Sequence, residues 1–306
     1  MPRFAFRSLP LLLLLAATAA AGADAPAPAP PDSKWASDLA EWKQWRDGRL
    51  RQPDSWLTLV GLAWLQPGNN GVGSHPANRV VLPTSAAGSL GVLRLDGERV
   101  TFLATPGAKA TVDGAAVTTI EMKSDAAGGP TILRHGSIQL YVIRRSERLA
   151  VRVKDSEAEA LKKFTGLEYY PANTRWRVEA RFEPSVPAGE IEVPNALGFT
   201  EKIASPGHVV FTLGGVEHRL LALDDTGDGR LFLVFGDKTN GRETYGGGRF
   251  LYTDPPVDGR VTVDFNRAYN PLCAYNAEGF NCTLPPEENR LPFAVEAGEK
   301  LLGVAH

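Results

Sequence analysis

The sequence predicts a mainly β protein made of two antiparallel β lobes preceded by one N-terminal helix. Three observations carry that expectation. From Trp56 onward, short runs rich in Val, Ile, Leu, Phe and Thr recur between Gly- and Pro-containing turns. Alternation such as Arg177, Glu179 and Arg181 against Val178, Ala180 and Phe182 describes strands with one wet and one buried face. The connections between runs are too short for parallel crossovers, so neighbouring strands should pair antiparallel.

The chain begins with Arg3 and Arg7, an apolar run from Leu9 to Ala21, and then Ala21-Gly22-Ala23. That order is a secretory signal peptide over residues 1–23, cleaved near Ala23, and it sends the protein to the periplasm or outside the cell. No later stretch approaches the roughly 20 apolar residues of a spanning helix, and no cysteine follows the leader to take a lipid. No stable membrane anchor is expected. Residues 24–31, DAPAPAPP, form an extended Pro/Ala linker. A helix and its connection should fill residues 32–54, with Asp32 or Ser33 as cap. Trp35, Leu39, Trp42 and Arg49, with Trp45 beside them, set a 3.6-residue face, and the tryptophans are assigned to packing.

Residues 55–155 read as a first β lobe through WLTLVGLAWL, NRVVL, GVLRL, RVTFLA, ATVDG, TTIEM, SIQLYVI and LAVRV, with the spacing of a sandwich. Gln66 to Leu82 is turn-rich and leads into a strand, so it is no dinucleotide loop. Its Gly71-Val72-Gly73-Ser74 lacks the lysine of a phosphate loop. Gly68, Gly73-Ser74, Asn78, Val80 to Leu82 and Asp113-Gly114 resemble a forkhead-associated type sandwich. Ser74 stands where such domains carry the arginine that reads phosphothreonine, so the resemblance implies a fold and not phosphopeptide binding. KDSEAEALKKF, Lys154 to Phe164, is a short helix or turn at the junction. A second lobe, residues 156–306, follows as a β-sandwich or half-barrel through WRVEARF, HVVFTL, HRLLAL, RLFLVF, RFLY and RVTVDF.

Bulk properties exclude some functions. The net charge is −2, and it becomes more negative once Arg3 and Arg7 leave with the leader, which argues against a nucleic-acid partner. The five histidines form no HxH or HExxH pair, and no GxSxG elbow is present. DDTGDG, Asp224 to Gly229, resembles the start of a calcium loop, but Phe235 occupies the twelfth position, so a hairpin turn is the expectation. Neither metal nor cofactor is expected. Cys273 and Cys282 are the two cysteines, and a disulfide is the first reading for an exported chain, with free thiols or metal ligands as the alternatives.

Candidate chemistry concentrates between Asp237 and Arg290, where charged and polar side chains crowd a Gly- and Pro-rich backbone. Arg242, Arg249 and Arg267, with Asp264, Asn266, Asn270 and Asn289, are candidate ligand-binding residues, since guanidinium forks and amides suit carboxylates, phosphates and sugar hydroxyls. Were the site catalytic, Glu243 or Asp237 would be the base and Tyr245 or Tyr269 the acid. The alternative is a structural network tying long loops together.

Several separated motifs allow a family resemblance. Trp56 to Leu62, Phe164-Thr165-Gly166-Leu167 with Tyr170-Pro171, Asp237 to Tyr245, Gly248 to Leu251, Asp264 to Pro271 and Asn289-Arg290-Leu291 together resemble the domain of unknown function 1684 family. That resemblance implies motif positions and a fold but brings no reaction. The functional expectation is therefore an exported protein that binds a polar, anionic or saccharide-like small molecule in its C-terminal lobe, with hydrolysis or elimination open. The alternative is a non-catalytic envelope module that holds a partner protein.

Overall fold

A computed structural model describes residues 32–145, 147–196, 198–275 and 282–301 of the chain. The expected signal peptide and Pro/Ala linker lie outside the described residues. The protein is mainly β, with antiparallel sheets and one long N-terminal helix.

Helix α1 (Ser33–Leu50) starts where the Asp32 carboxylate accepts the Lys34 backbone N–H at 3.0 Å, a side-chain N-cap. Its buried stripe is Trp35, Leu39, Arg46 and Leu50. This differs from the expected tryptophan face: Trp45 is 64% exposed and Arg49 is exposed, because both project beyond the stripe that meets the body.

The first lobe is two sheets facing one core. One contains β1 (Leu59–Trp64), β6 (Thr111–Val112), β7 (Ala115–Ala116), β9 (Leu133–His135), β10 (Ile138–Arg145) and β11 (Arg148–Asp155), in the order β1-β11-β10-β9-β6-β7. The other contains β2 (Gly68–Gly73), β3 (Val80–Val81), β4 (Gly91–Asp96), β5 (Arg99–Ala104) and β8 (Thr119–Glu121), in the order β3-β2-β4-β5-β8. Val72, Leu93, Phe102, Leu133, Leu140 and Val151 fill the space between them. Gly68–Gly73 reads as turn in sequence yet is a strand. Backbone pairing with β4 builds it, and Asn70 donates to the carbonyls of Gln66, Gly68 and Leu93. The β2–β3 pair is parallel, the exception to the antiparallel rule.

After helix α2 (Glu159–Lys163), the second lobe is one six-stranded sheet in the order β16-β15-β14-β13-β12-β17. Its members are β12 (Arg177–Pro194), β13 (Thr200–Leu213), β14 (Val216–Asp224), β15 (Phe232–Phe235), β16 (Arg249–Tyr252) and β17 (Arg260–Asp264). The register of β12 on β13 shifts between Pro184 and Gly189, an irregularity that bends long strands. Val209, Phe211, Leu220, Leu233, Phe235, Val263 and Phe265 form the core that the curved sheet encloses. Leu59 from the first lobe packs with Cys273, Cys282, Tyr245 and Phe250 of the second, so the lobes meet around the disulfide.

Candidate functional site

The polar segment singled out in the sequence divides in the structure, and its larger part is a clasp for the C-terminal strap, residues 289–301. Arg249 is 0% exposed. It donates to Asp237 Oδ2 from Nε (3.1 Å) and Nη2 (2.8 Å), to the Val295 carbonyl (2.8 Å) and to the Ala297 carbonyl (2.5 Å). Asp237 Oδ1 accepts the backbone N–H groups of Thr239 and Val295. With all three Arg249 nitrogens bonded and both side chains sealed from solvent, Arg249 and Asp237 join loops; they cannot meet a diffusing ligand or act as a base.

Asn289 plays a similar part. Its amide donates to the carbonyls of Leu221 and Val234 and its oxygen accepts the Leu221 N–H, filling the gap where β14 and β15 diverge. Asn266 bridges Asn173 and Asp264, and Asp264 accepts the Trp35 indole N–H at 2.7 Å, which seats α1 on the second lobe. Asn270 donates to Glu299 and to the Lys300 carbonyl and accepts the Tyr245 N–H. Glu299, which sequence reasoning overlooked, is itself fully buried and takes Arg46 Nε at 2.5 Å and the Tyr275 hydroxyl. Burial works against the Arg46 charge, but Glu299 and the nearby tyrosines hold its pKa above the ordinary arginine value.

Glu243 and Arg242 are exposed, and Glu243 lies 3.7 Å from Lys300 Nζ. Tyr245 packs against the disulfide-side cluster. The four candidate catalytic groups therefore do not assemble: Asp237 is sealed, Glu243 faces solvent, Tyr245 packs by the disulfide and Tyr269 borders a cavity. Cys273 and Cys282 are joined by a disulfide, and the Cys282 side lines that same cavity.

The cavity lies between α1, the disulfide region, the sheet edge at β15–β16 and β11 of the first lobe. Two neighbouring pockets with shared lining residues make up this region. The first, 420 Å³, is bordered by Arg49, Trp56, Arg152, Asp225, Phe232 and Phe250, and the second, 430 Å³, by Trp42, Arg230, Asp254 and Arg267; Trp45, Arg46, Tyr252 and Tyr269 form the wall common to both. Both volumes suit small-molecule sites, which run from about 300 to 1,000 Å³. Of the predicted site residues, Tyr269, Arg267 and Cys282 reach these chambers.

Cations and aromatic rings are interleaved throughout. The Arg152 guanidinium stands 4.9 Å from the Trp56 ring centroid, Lys154 Nζ lies 4.8 Å from the same ring, Arg46 sits 4.2 Å over Tyr269 and Arg230 5.1 Å from Tyr252. Arg152 is 9% exposed and its Nε has no hydrogen-bond partner; Arg267 Nε is likewise buried without one. Burial pushes the Lys154 ammonium down to about 8, with Asp54 opposing the shift and Arg152 and Arg49 adding to it. Burial also raises the hydroxyls of Tyr252 and Tyr269, so both stay neutral and keep their protons as donors. Among the described residues, no group of three or more His, Cys, Asp or Glu could hold a metal ion.

Sequence reasoning missed α1 and β11 as walls. An available signal was Arg46, whose place in the apolar stripe of a helix requires a buried carboxylate partner and a deep contact. Arg152, on an alternating strand, gave none.

Comparison with known proteins adds a family and no chemistry. Residues 162–300 match the family described as "Protein of unknown function (DUF1684)". The solution NMR structure of an uncharacterised protein of Haloarcula marismortui shares 35% identity, covering 47% of this chain and 80% of that chain, with a TM-score of 0.40. No curated protein matches the chain. The family match includes the clasp, β15, β16 and Arg267, whereas α1, Trp56 and Arg152 lie before it.

Proposed function

For a chain that belongs to the DUF1684 family, whose description states no activity, we propose a function from the cleft itself: after export, the protein binds an anionic polar small molecule between α1, β11 and the β15–β16 edge. The observation that carries this reading is Arg152, nine-tenths buried, with an unpartnered Nε at the wall of a cavity. A buried guanidinium N–H left unpaired costs about 1–3 kcal/mol, and an anion in the cavity would repay that cost. The aromatic walls supply the apolar share of a small-molecule site. This moves the expected site from the polar clasp to its other side, and no reaction is assigned to it.

The test is a thermal-shift series on the chain from Asp24 onward, with uronic acids, organic acids and phosphate esters, and with neutral sugars as controls. A ligand at 100 times its dissociation constant raises stability by about 2.7 kcal/mol. Stabilisation by an anion that disappears in Arg152→Gln supports the proposal; no shift with any anion, or a shift indifferent to Arg152→Gln, ends it.

One observation favours the second reading, a partner-holding module. β1 and β3 are edge strands, and an open groove of 840 Å³ between them carries the exposed Val60 and Val81. That reading predicts a stoichiometric partner that co-purifies with the full chain and is lost in Val60→Asp or Val81→Asp.

A further inference from the structure

We infer that the ligand carries two acidic groups on a hydroxylated frame, an acidic disaccharide unit, with one acid held by Arg152 and the other by Arg267. The inference rests on the anion-binding reading of the cleft and goes beyond it in ligand class and in the division of labour between the chambers.

Five arginines border the two chambers, and three are already balanced. Arg46 is bound to Glu299 and to the Asn270 carbonyl. Arg49 pairs with Asp54 at 2.9 Å, and Arg230 with Asp228 at 2.8 Å. Arg152 and Arg267 remain. Neither has an ion-pair partner among the described residues, each keeps a buried, unbonded Nε, and they fall one to each chamber. Arg152 also meets the Tyr141 hydroxyl, yet two guanidinium groups without a carboxylate partner, each with an unbonded Nε, fit two anionic groups on one ligand better than one group bound twice.

The side chains common to both pockets describe what joins the two acids. Trp45, Tyr252 and Tyr269 offer ring surfaces, and Trp45 is among the most exposed large apolar side chains. Pyranose faces, with their axial C–H groups, lie well on such rings. Asp225 in the first chamber and Asp254 in the second would repel a plain dicarboxylate or a bisphosphate. They accept hydrogen bonds instead from hydroxyl groups, which a sugar acid has and those anions lack. Asp225 already accepts from Tyr252 at 2.6 Å and keeps free lone pairs. The Tyr269 hydroxyl, neutral and with no hydrogen-bond partner among the described residues, adds a donor beside both pockets.

Calorimetric titration of the chain from Asp24 onward with galacturonate, digalacturonate, and neutral maltose as control tests this. Digalacturonate is expected to bind at least about tenfold more tightly than galacturonate, with maltose silent. Arg267→Gln should erase that advantage and leave galacturonate affinity unchanged, whereas Arg152→Gln should weaken both. Arg267→Lys, which keeps the charge but not the fork, should restore part of the advantage, and each variant's melting curve reports whether it folds. Equal affinity for monomer and dimer, with galacturonate still lost in Arg152→Gln, would overturn the two-acid ligand while sparing the anion site. Preference for citrate or inorganic phosphate over both sugar acids would overturn the saccharide frame. Silence toward every anion would remove both readings.

Discussion

Replacing Arg249 by methionine separates a clasp from a binding site, because the two roles predict opposite results. In the structure Arg249 and Asp237 have fully buried side chains, 2.8 Å apart at Nη2 and Oδ2. Arg249→Met leaves the Asp237 carboxylate in the interior with only the Thr239 and Val295 N–H groups for company, and it frees the carbonyls of Val295 and Ala297. Removing one partner of a buried pair costs about 3–5 kcal/mol. The two carbonyls add to that, each by about 1 kcal/mol or more where water cannot reach them. At about 2–4 °C per kcal/mol for domains of 150–250 residues, loss of the pair alone should lower the melting temperature by roughly 6 to 20 °C, and the stranded carbonyls lower it further.

The assay is thermal and urea unfolding of the chain from Asp24 onward, run beside anion titration. Anion affinity of the folded variant should equal that of the parent. The double variant Arg249→Met with Asp237→Leu should recover much of the loss, since it removes the stranded charge as well as its partner. A melting temperature within about 2 °C of the parent, combined with abolished anion binding, would refute the clasp and return Arg249 to the ligand.

Other outcomes follow from the same geometry. Glu243→Gln and Arg242→Ala, both exposed, should change stability by no more than about 0.5 kcal/mol and leave anion binding intact; a lost titration signal in either would reinstate the predicted acid–base cluster. Asn289→Ala strands the Leu221 N–H and carbonyl and the Val234 carbonyl, so unfolding free energy should drop by about 2 kcal/mol or more, read from the urea midpoint; an unchanged midpoint contradicts it. Lys154, pushed down to about 8 from 10.5, releases its proton earlier folded than unfolded. Between those values the unfolded chain binds more protons, so stability without ligand should rise with pH, and Lys154→Met should flatten that rise. Anion affinity should fall across the same window as the charge beside Arg152 is lost. Trp45→Ala should weaken sugar-acid binding without lowering the melting temperature, because its ring supports no core.

The β-rich plan was legible because alternation is local: Arg177 to Phe182 announces a half-wet strand without knowledge of its neighbour. Strand length was not, since β12 extends to Pro194 through pairing with β13 that no local pattern reveals. Gly68–Gly73 was hidden for the same reason, as its ladder is made by backbone groups common to every sequence. The candidate site suffered from a deeper ambiguity. Asp237, Arg249, Asn270 and Asn289 have the chemistry of a ligand site, and the same donors and acceptors are what a strap without regular secondary structure needs to satisfy its backbone. Only partner counts separate the cases, and partners are a property of the fold. Arg249 has all three nitrogens bonded; Arg152 has a buried Nε with no partner, and it reaches the cleft from a strand well upstream of the polar cluster. In this chain the dense motifs hold the frame, and the sparse arginines at the frame's inner edge are left with charge to offer.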